Sequence, residues 1–282
     1  MTSPDDLPRV WIGNETQGEL CDARSAVISV FDHGFTVGDG VFETLRVQDG
    51  MPFALSRHLR RLAQSASALG LQLPSEATIR NAIALVTDGT GGTCRLRITV
   101  TGGPGPMGSD RSDTPSTLAV VLAPVTAWPP TTQACVLPWL RNERSALAGV
   151  KSTSYAENVI ALQWAKERGA SEALFANTAG QLCEGTGSNV FVVKDGQVTT
   201  PTLASGCLAG ITRELVLEWC PVAERDVPIE YLMEADEVFI TSSTRDVHPV
   251  SRIDGRHLQA PGPVTAKVQE TFAGLAASNL DP

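Results

Sequence analysis

Five stretches carry residues whose types and spacing could do chemistry. Lys151, in Gly149-Val150-Lys151-Ser152-Thr153-Ser154-Tyr155, lies between small or apolar residues just before a helical pattern. An amine that loses water there becomes a nucleophile toward a carbonyl, whereas a solvated one is an ordinary surface charge. Glu184 sits in the small-residue segment Glu184-Gly185-Thr186-Gly187-Ser188-Asn189, which leads into an apolar run. A carboxylate so placed needs a partner, either the protonated nitrogen of a bound aromatic ring or a backbone N–H.

Three further stretches suit an anion. In Leu208-Ala209-Gly210-Ile211-Thr212-Arg213, a glycine bend and a threonine at a helix start leave backbone N–H groups for a phosphate, or form a plain turn with a threonine cap. Thr241-Ser242-Ser243-Thr244 sets four hydroxyls at the end of an apolar run, to donate to the same phosphate or to water. His58-Leu59-Arg60-Arg61-Leu62 puts two arginines on a helix, one suited to a solvent ion pair and the other to a phosphate.

Composition narrows the class. With 282 residues, 42% hydrophobic and 19% charged, the chain has the make-up of a water-soluble globular protein of one or two domains. A formal charge of -9 with only the short Arg57 to Arg61 basic cluster argues against nucleic acid or an anionic membrane as partner. No apolar run approaches a membrane span, and the first residues lack a basic-then-apolar signal pattern, so the chain reads as cytoplasmic. The six scattered cysteines read as reduced thiols, and the four histidines form no ligand pair, so no metal is expected.

The elements that must position these residues alternate α and β in both halves, which predicts an α/β or α+β class in two domains. Strands are predicted at Ala26 to Phe31, Val41 to Val47, Met51 to Leu55, Thr93 to Thr101, Leu118 to Ala123, Ala173 to Ala176, Asn189 to Val193 and Glu237 to Thr241. Hairpin turns are expected at Asp49-Gly50 and Asp195-Gly196, and a further turn at Ile253-Asp254-Gly255-Arg256. Helices are predicted from His58 to Leu69, from Ser75 as N-cap to Thr87, from Ser154 to Arg168, from Thr212 to Trp219 and from Pro263 to Leu275. Three glycines within Gly34 to Gly40 imply a shaped loop, and Gly102 to Pro115 is a long loop of functional rather than connecting type. The proline-rich residues 125–132 divide a smaller N-terminal domain, 1–124, from a larger C-terminal one, 133–282, which carries Lys151.

Taken in order, Gly38-Asp39-Gly40-Val41-Phe42-Glu43, His58-x-x-Arg61-Leu62, Lys151, Glu184-x-x-x-Ser188-Asn189, Gly210-Ile211-Thr212-Arg213 and Thr241 to Pro249 resemble the class IV, fold type IV aminotransferases. The wording Phe42-Glu43-Thr44-Leu45-Arg46 and Lys151-Ser-Thr-Ser-Tyr155 is most similar to the 4-amino-4-deoxychorismate lyase-like branch. The resemblance implies a two-domain D-amino-acid aminotransferase-like architecture, a homodimer, and pyridoxal 5'-phosphate between the domains. It makes Lys151 the Schiff-base lysine and proton carrier and pairs Glu184 with the pyridine nitrogen. Arg61, Ser188, Asn189, Gly210, Ile211, Thr212, Ser242 and Ser243 would hold the cofactor, and Phe35, Val37, Phe42, Glu43, Arg46, Arg97, Tyr155 and Thr244 would line the substrate pocket.

The expected reaction moves an amino group between a small amine or amino acid and a keto acid. The alternatives are release of pyruvate and 4-aminobenzoate by a lyase, and non-catalytic binding of the cofactor or another phosphate ligand. After Thr101 the chain has Gly102-Gly103-Pro104-Gly105-Pro106-Met107-Gly108, without the arginine and histidine that hold the α-carboxylate in D-amino-acid enzymes. Arg46, Arg97 or Arg111 is left to take that role, and by resemblance the Gly102 to Arg111 loop reaches the neighbouring protomer's site.

Overall fold

The structure, a computed structural model, describes residues 8–282. It divides into two compact units, one running up to Thr126 and including Val150–Tyr155 and Leu280–Pro282, the other comprising Ala127–Gly149 and Ala156–Asn279. Residues 150–155, expected from the sequence within 133–282, therefore group with the first unit.

The first unit contains β1 (Arg9–Gly13), β2 (Gly18–Asp22), α1 (His33–Thr36), β3 (Gly40–Gln48), β4 (Met51–Pro52), α2 (Leu55–Ala68), α3 (Glu76–Thr87), β5 (Thr93–Thr101) and β6 (Thr117–Pro124). Its strands form a six-stranded sheet in the order β2-β1-β6-β5-β3-β4, with antiparallel neighbours. Alternation gives the sheet two unlike faces. Val41, Leu45, Val47, Leu96, Ile98, Val100, Leu118, Val120 and Leu122 point into a core closed by Leu59, Leu62 and Ala66 of α2 and by Ile79, Ala82, Ile83 and Val86 of α3. Phe42, Thr44 and Arg46 lie on the other face, in register with Thr99, Arg97 and Arg95.

Local chemistry sets the boundaries. Asp49 and Gly50 both take positive φ at the β3–β4 turn, as a two-residue hairpin of this kind requires. Ser75 accepts from the Thr78 N–H and caps α3, as its position predicts. The Ala26 to Phe31 run is not a strand. Its chain turns instead, with the Asp32 N–H donating to Ser29 O, and Val27, Ile28, Val30 and Phe31 are exposed. Apolar composition alone supplied no ladder partner for it. The Met51 to Leu55 strand likewise stops at Pro52, because Ala54 turns left-handed to start α2.

The second unit contains β7 (Thr132–Arg141), α4 (Ala156–Glu167), β8 (Glu172–Asn177), β9 (Leu182–Gly185), β10 (Asn189–Lys194), β11 (Gln197–Thr200), α5 (Ile211–Trp219), β12 (Val222–Glu224), β13 (Glu237–Ser242), β14 (Asp246–Ile253), β15 (Arg256–His257) and α6 (Pro263–Ser278). Nine strands form one mixed sheet, β12-β11-β10-β13-β14-β7-β8-β9 with β15 on β14. Both faces of its middle are covered. Ala134, Leu174, Leu182, Val190, Val238 and Ile240 join one cluster, while Cys135, Ala173, Phe175 and Cys183 join another under Ala161 and Ala165 of α4. Every residue of β8 is accordingly buried. All six cysteines are free thiols. Among the described residues, no helix is long and apolar enough to cross a membrane.

Candidate functional site

In the first unit the residues around Lys151 are organised by the start of β3. Residues 151–153 run along the edge of that strand: the Phe42 N–H donates to Lys151 O at 3.0 Å, the Thr153 N–H donates to Gly40 O at 2.8 Å, and Val41 bridges Ser152. The Lys151 N–H donates to Ser65 Oγ of α2 at 3.2 Å. Lys151 is half-buried, and its Nζ lies 4.6 Å from the centroid of the Phe42 ring. The same ring carries the Arg97 guanidinium carbon at 3.7 Å and meets the edge of Tyr155 at 5.2 Å between centroids. Four of the expected residues thus share one cluster on the face of the sheet away from the core. Arg97 donates to Thr99 Oγ1 at 3.3 Å and, among the described residues, pairs with no carboxylate.

Glu43 points the other way. Neighbours on a strand face opposite sides, so Glu43 enters the core, where it is fully buried. Arg61 of α2 donates to it through Nε at 2.8 Å and Nη2 at 2.6 Å, and His58 Nδ1 lies 2.6 Å from Oε2. Burial pushes the Glu43 carboxyl up, but the charges and hydrogen bonds of Arg61 and His58 outweigh it and hold the group down at about 2. Burial pushes His58 below its ordinary value, against the pull of Glu43. The sequence placed Glu43 in a substrate pocket; here it fixes the orientation of Arg61.

The other expected pocket residues of this unit lie elsewhere. Arg46 sits four residues along β3 from Phe42, over the Phe53 ring at 5.0 Å. Phe35 and Val37 are exposed in the segment at α1. Arg111 is engaged by Asp39 through two hydrogen bonds of 2.7 and 2.5 Å and donates to Gly70 O at 2.8 Å, which pins the Gly102 to Pro115 loop to its own chain.

In the second unit Glu184, on β9, accepts from the Leu208 N–H through Oε2 at 2.9 Å, and its Oε1 lies 3.5 Å from Arg141 Nε. The loop after it is clamped from within. Buried Glu172 accepts from the Thr186 N–H at 2.8 Å, from the Thr186 hydroxyl and from Ser188 Oγ at 2.8 Å. Asn189 Nδ2 donates to Leu208 O at 2.8 Å. The side chains of Ser188 and Asn189 are therefore spent on protein partners, and they act by holding the backbone on either side of Glu184.

The expected anion site lies at the start of α5. Gly210 occupies the N-cap and no side chain caps the helix, so the first-turn N–H groups of Ile211 and Thr212 lack intrahelical acceptors. A Cβ at Gly210 would stand 1.9 Å from Asn189 Oδ1, so any larger residue there would displace the Asn189 side chain. The buried Thr241 hydroxyl has no partner, and among the described residues nothing hydrogen-bonds the hydroxyls of Ser242, Ser243 or Thr244. Uncommitted N–H and O–H donors are what a phosphate-bearing cofactor requires.

Sequence reasoning missed Arg141 and Glu172. Arg141 closes β7, a strand it did not assign, and its Nη2 donates to Asn158 Oδ1 at 3.2 Å while Nη1 pairs with Glu157. Glu172 stood just ahead of the assigned Ala173 to Ala176 run, and nothing near it in sequence marks its partners.

The family model described as amino-transferase class IV matches residues 40–253. A putative branched-chain-amino-acid aminotransferase of Methanocaldococcus jannaschii is 34% identical over 274 residues, covering 92% of this chain and 94% of that protein. A D-alanine aminotransferase of Bacillus licheniformis is also 34% identical, over 89% of this chain and 93% of its own length. Among solved structures, a fold IV transaminase from Curtobacterium pusillum superposes with a TM-score of 0.84 at 30% identity, covering 94% of this chain and 98% of that one.

Proposed function

Since the chain belongs to the class IV aminotransferase family, we propose that it holds pyridoxal 5'-phosphate on Lys151 and moves an amino group between a carboxylate-bearing amino acid and a keto acid. The observation that carries this reading is the shared ring: Lys151 Nζ and the unpaired Arg97 guanidinium both lie against Phe42. A substrate whose carboxylate pairs with Arg97 brings its amine and α-carbon toward Lys151.

When bound, the cofactor's protonated ring supplies an electron sink. The chain's residues do the rest. Lys151 takes the proton from the substrate α-carbon, with its amine kept half-buried against the Phe42 ring. Glu184 keeps the ring nitrogen protonated. Arg61, the first turn of α5 at Gly210, Ile211 and Thr212, and the hydroxyls of Ser242 and Ser243 hold the phosphate. Arg97, Tyr155 and Thr244 select the substrate. The protein works as a homodimer in a reducing, cytoplasmic setting, in keeping with the exposed Val27, Val30, Phe31 and Phe35 and the six free thiols.

Borohydride reduction of the cofactor-loaded protein is expected to fix one pyridoxyl group on the peptide carrying Lys151, and Lys151→Ala to abolish both the label and turnover. Amino donors with a keto acid should turn over. Release of pyruvate and 4-aminobenzoate from aminodeoxychorismate without a keto-acid acceptor, and no turnover with amino donors, would overturn the transaminase reading in favour of the lyase.

A further inference from the structure

We propose, resting on the assignment of Glu184 to the cofactor's ring nitrogen, that Arg141 is a positioning residue whose charge keeps the proton on that nitrogen rather than on Glu184. A carboxylate facing a ring nitrogen competes with it for one proton, and the weaker base leaves the proton where it is. A cation beside the carboxylate weakens it as a base. Arg141 Nε is buried, lies 3.5 Å from Glu184 Oε1 and has no hydrogen-bond partner, so the contact acts through charge. The other oxygen is occupied by the Leu208 N–H at 2.9 Å. Both contacts stabilise the ionised carboxylate.

Arg141 is held in this position from three sides. Its Nη2 donates to Asn158 Oδ1 at 3.2 Å, its Nη1 pairs with Glu157, and its guanidinium carbon lies 4.1 Å from the centroid of the Phe175 ring. The thiols of Cys183 and Cys207 also lie near Glu184, and burial pushes both up and so keeps them neutral. Glu157, half-exposed on α4, also pairs with Arg141. The guanidinium is thus a cation that these contacts set against Glu184.

A purely structural role, tying β7 to α4 through Glu157 and Asn158, is separable from this one. Lysine in place of Arg141 puts an ammonium near the position of the guanidinium carbon but cannot reach both α4 partners. The test uses holoenzyme loaded with pyridoxal phosphate labelled with nitrogen-15 in the ring, with the ring-nitrogen resonance followed from neutral to alkaline pH. In the wild type it should report a protonated nitrogen throughout. Arg141→Met should lower the ratio of protonated to neutral nitrogen at least about tenfold. Arg141→Lys should match the wild type near neutral pH and lose the ring proton as the introduced amine deprotonates, a readout that stands even where Arg141→Met fails to fold. Wild-type protonation in Arg141→Lys across the whole range, or its loss already at neutral pH, would overturn the proposal. Failure of the wild type to take up cofactor on Lys151 would instead overturn the functional reading beneath it.

Discussion

Arg61 donates to Glu43 through Nε at 2.8 Å and Nη2 at 2.6 Å, and both groups are buried. The arginine proposed for the phosphate is thereby fixed in place by an internal carboxylate, with His58 on the same oxygen as Nη2. Breaking such a pair from one side leaves an uncompensated buried charge, at a cost of about 3–5 kcal/mol. Glu43→Gln should therefore lose stability on that scale and weaken cofactor retention, measured by chemical denaturation and by cofactor dissociation. A variant as stable as the wild type would remove Glu43 from this role.

The same pair makes stability depend on pH with a definite sign. Glu43 is held at about 2 against an ordinary 4.5, so it binds fewer protons folded than unfolded. Its contribution is fully present above 4.5 and is lost as pH falls toward 2; the shift corresponds to roughly 3 kcal/mol. His58 is also depressed, from 6.5, so its contribution has the same sign and begins to be lost as pH falls below 6.5. Unfolding free energy of the wild type should fall between pH 6.5 and 2. Glu43→Gln should flatten the acid part of that curve, and an unchanged slope would sink the assignment.

Arg97 and the Phe42 ring lead to a prediction about substrate choice. A guanidinium bound to carboxylate through charge-assisted hydrogen bonds contributes about 2–3 kcal/mol. Arg97→Met should lower kcat/KM for carboxylate-bearing donors by roughly 30- to 150-fold, mostly through KM, while leaving amines without a carboxylate near the wild-type value. Steady-state kinetics with both donor types checks this, and equal losses for the two would show that Arg97 supports the ring rather than the substrate.

Much of this arrangement could be read in the sequence, and the gaps have physical causes. β5 was legible to its ends because apolar and polar residues alternate over its whole length. β7 was not, because its pairing to β8 shifts register between Val136 and Leu140 and Trp139 and Leu140 are exposed, which breaks any simple period. β14 carries Pro249, a residue that argues against a strand, inside its buried stretch. The lysine, the glutamate of β9 and the glycine before α5 each leave a plain reading open on local chemistry alone, and the order of the motifs is what singles them out. Arg141 and Glu172 are not singled out, since their partners lie on other strands and helices and only the sheet brings them together. The two-sidedness of β3 was available in principle: Phe42 and Glu43 are adjacent, so they could not both face the same pocket.

Glu172 holds the turn beside the glutamate of β9. Its carboxylate, one per cent exposed, accepts from the Thr186 N–H at 2.8 Å, the Thr186 hydroxyl and Ser188 Oγ at 2.8 Å, and so closes the turn that follows Glu184. Gly185 belongs to the same clamp, because a Cβ there would stand 2.3 Å from Ser188 Oγ and 3.0 Å from Glu172 Cδ. Glu172→Gln swaps an acceptor for a donor that faces donors. Leaving those buried groups unsatisfied should cost about 3 kcal/mol and lower the unfolding temperature by roughly 6–12 °C. Cofactor should leave faster from this variant, yet the protonation of its ring nitrogen should stay as in the wild type, because Glu184 and Arg141 keep their charges. Calorimetry paired with the ring-nitrogen resonance separates the effects; an unchanged unfolding temperature would show that Thr186 and Ser188 find other partners and that Glu172 does not hold the turn.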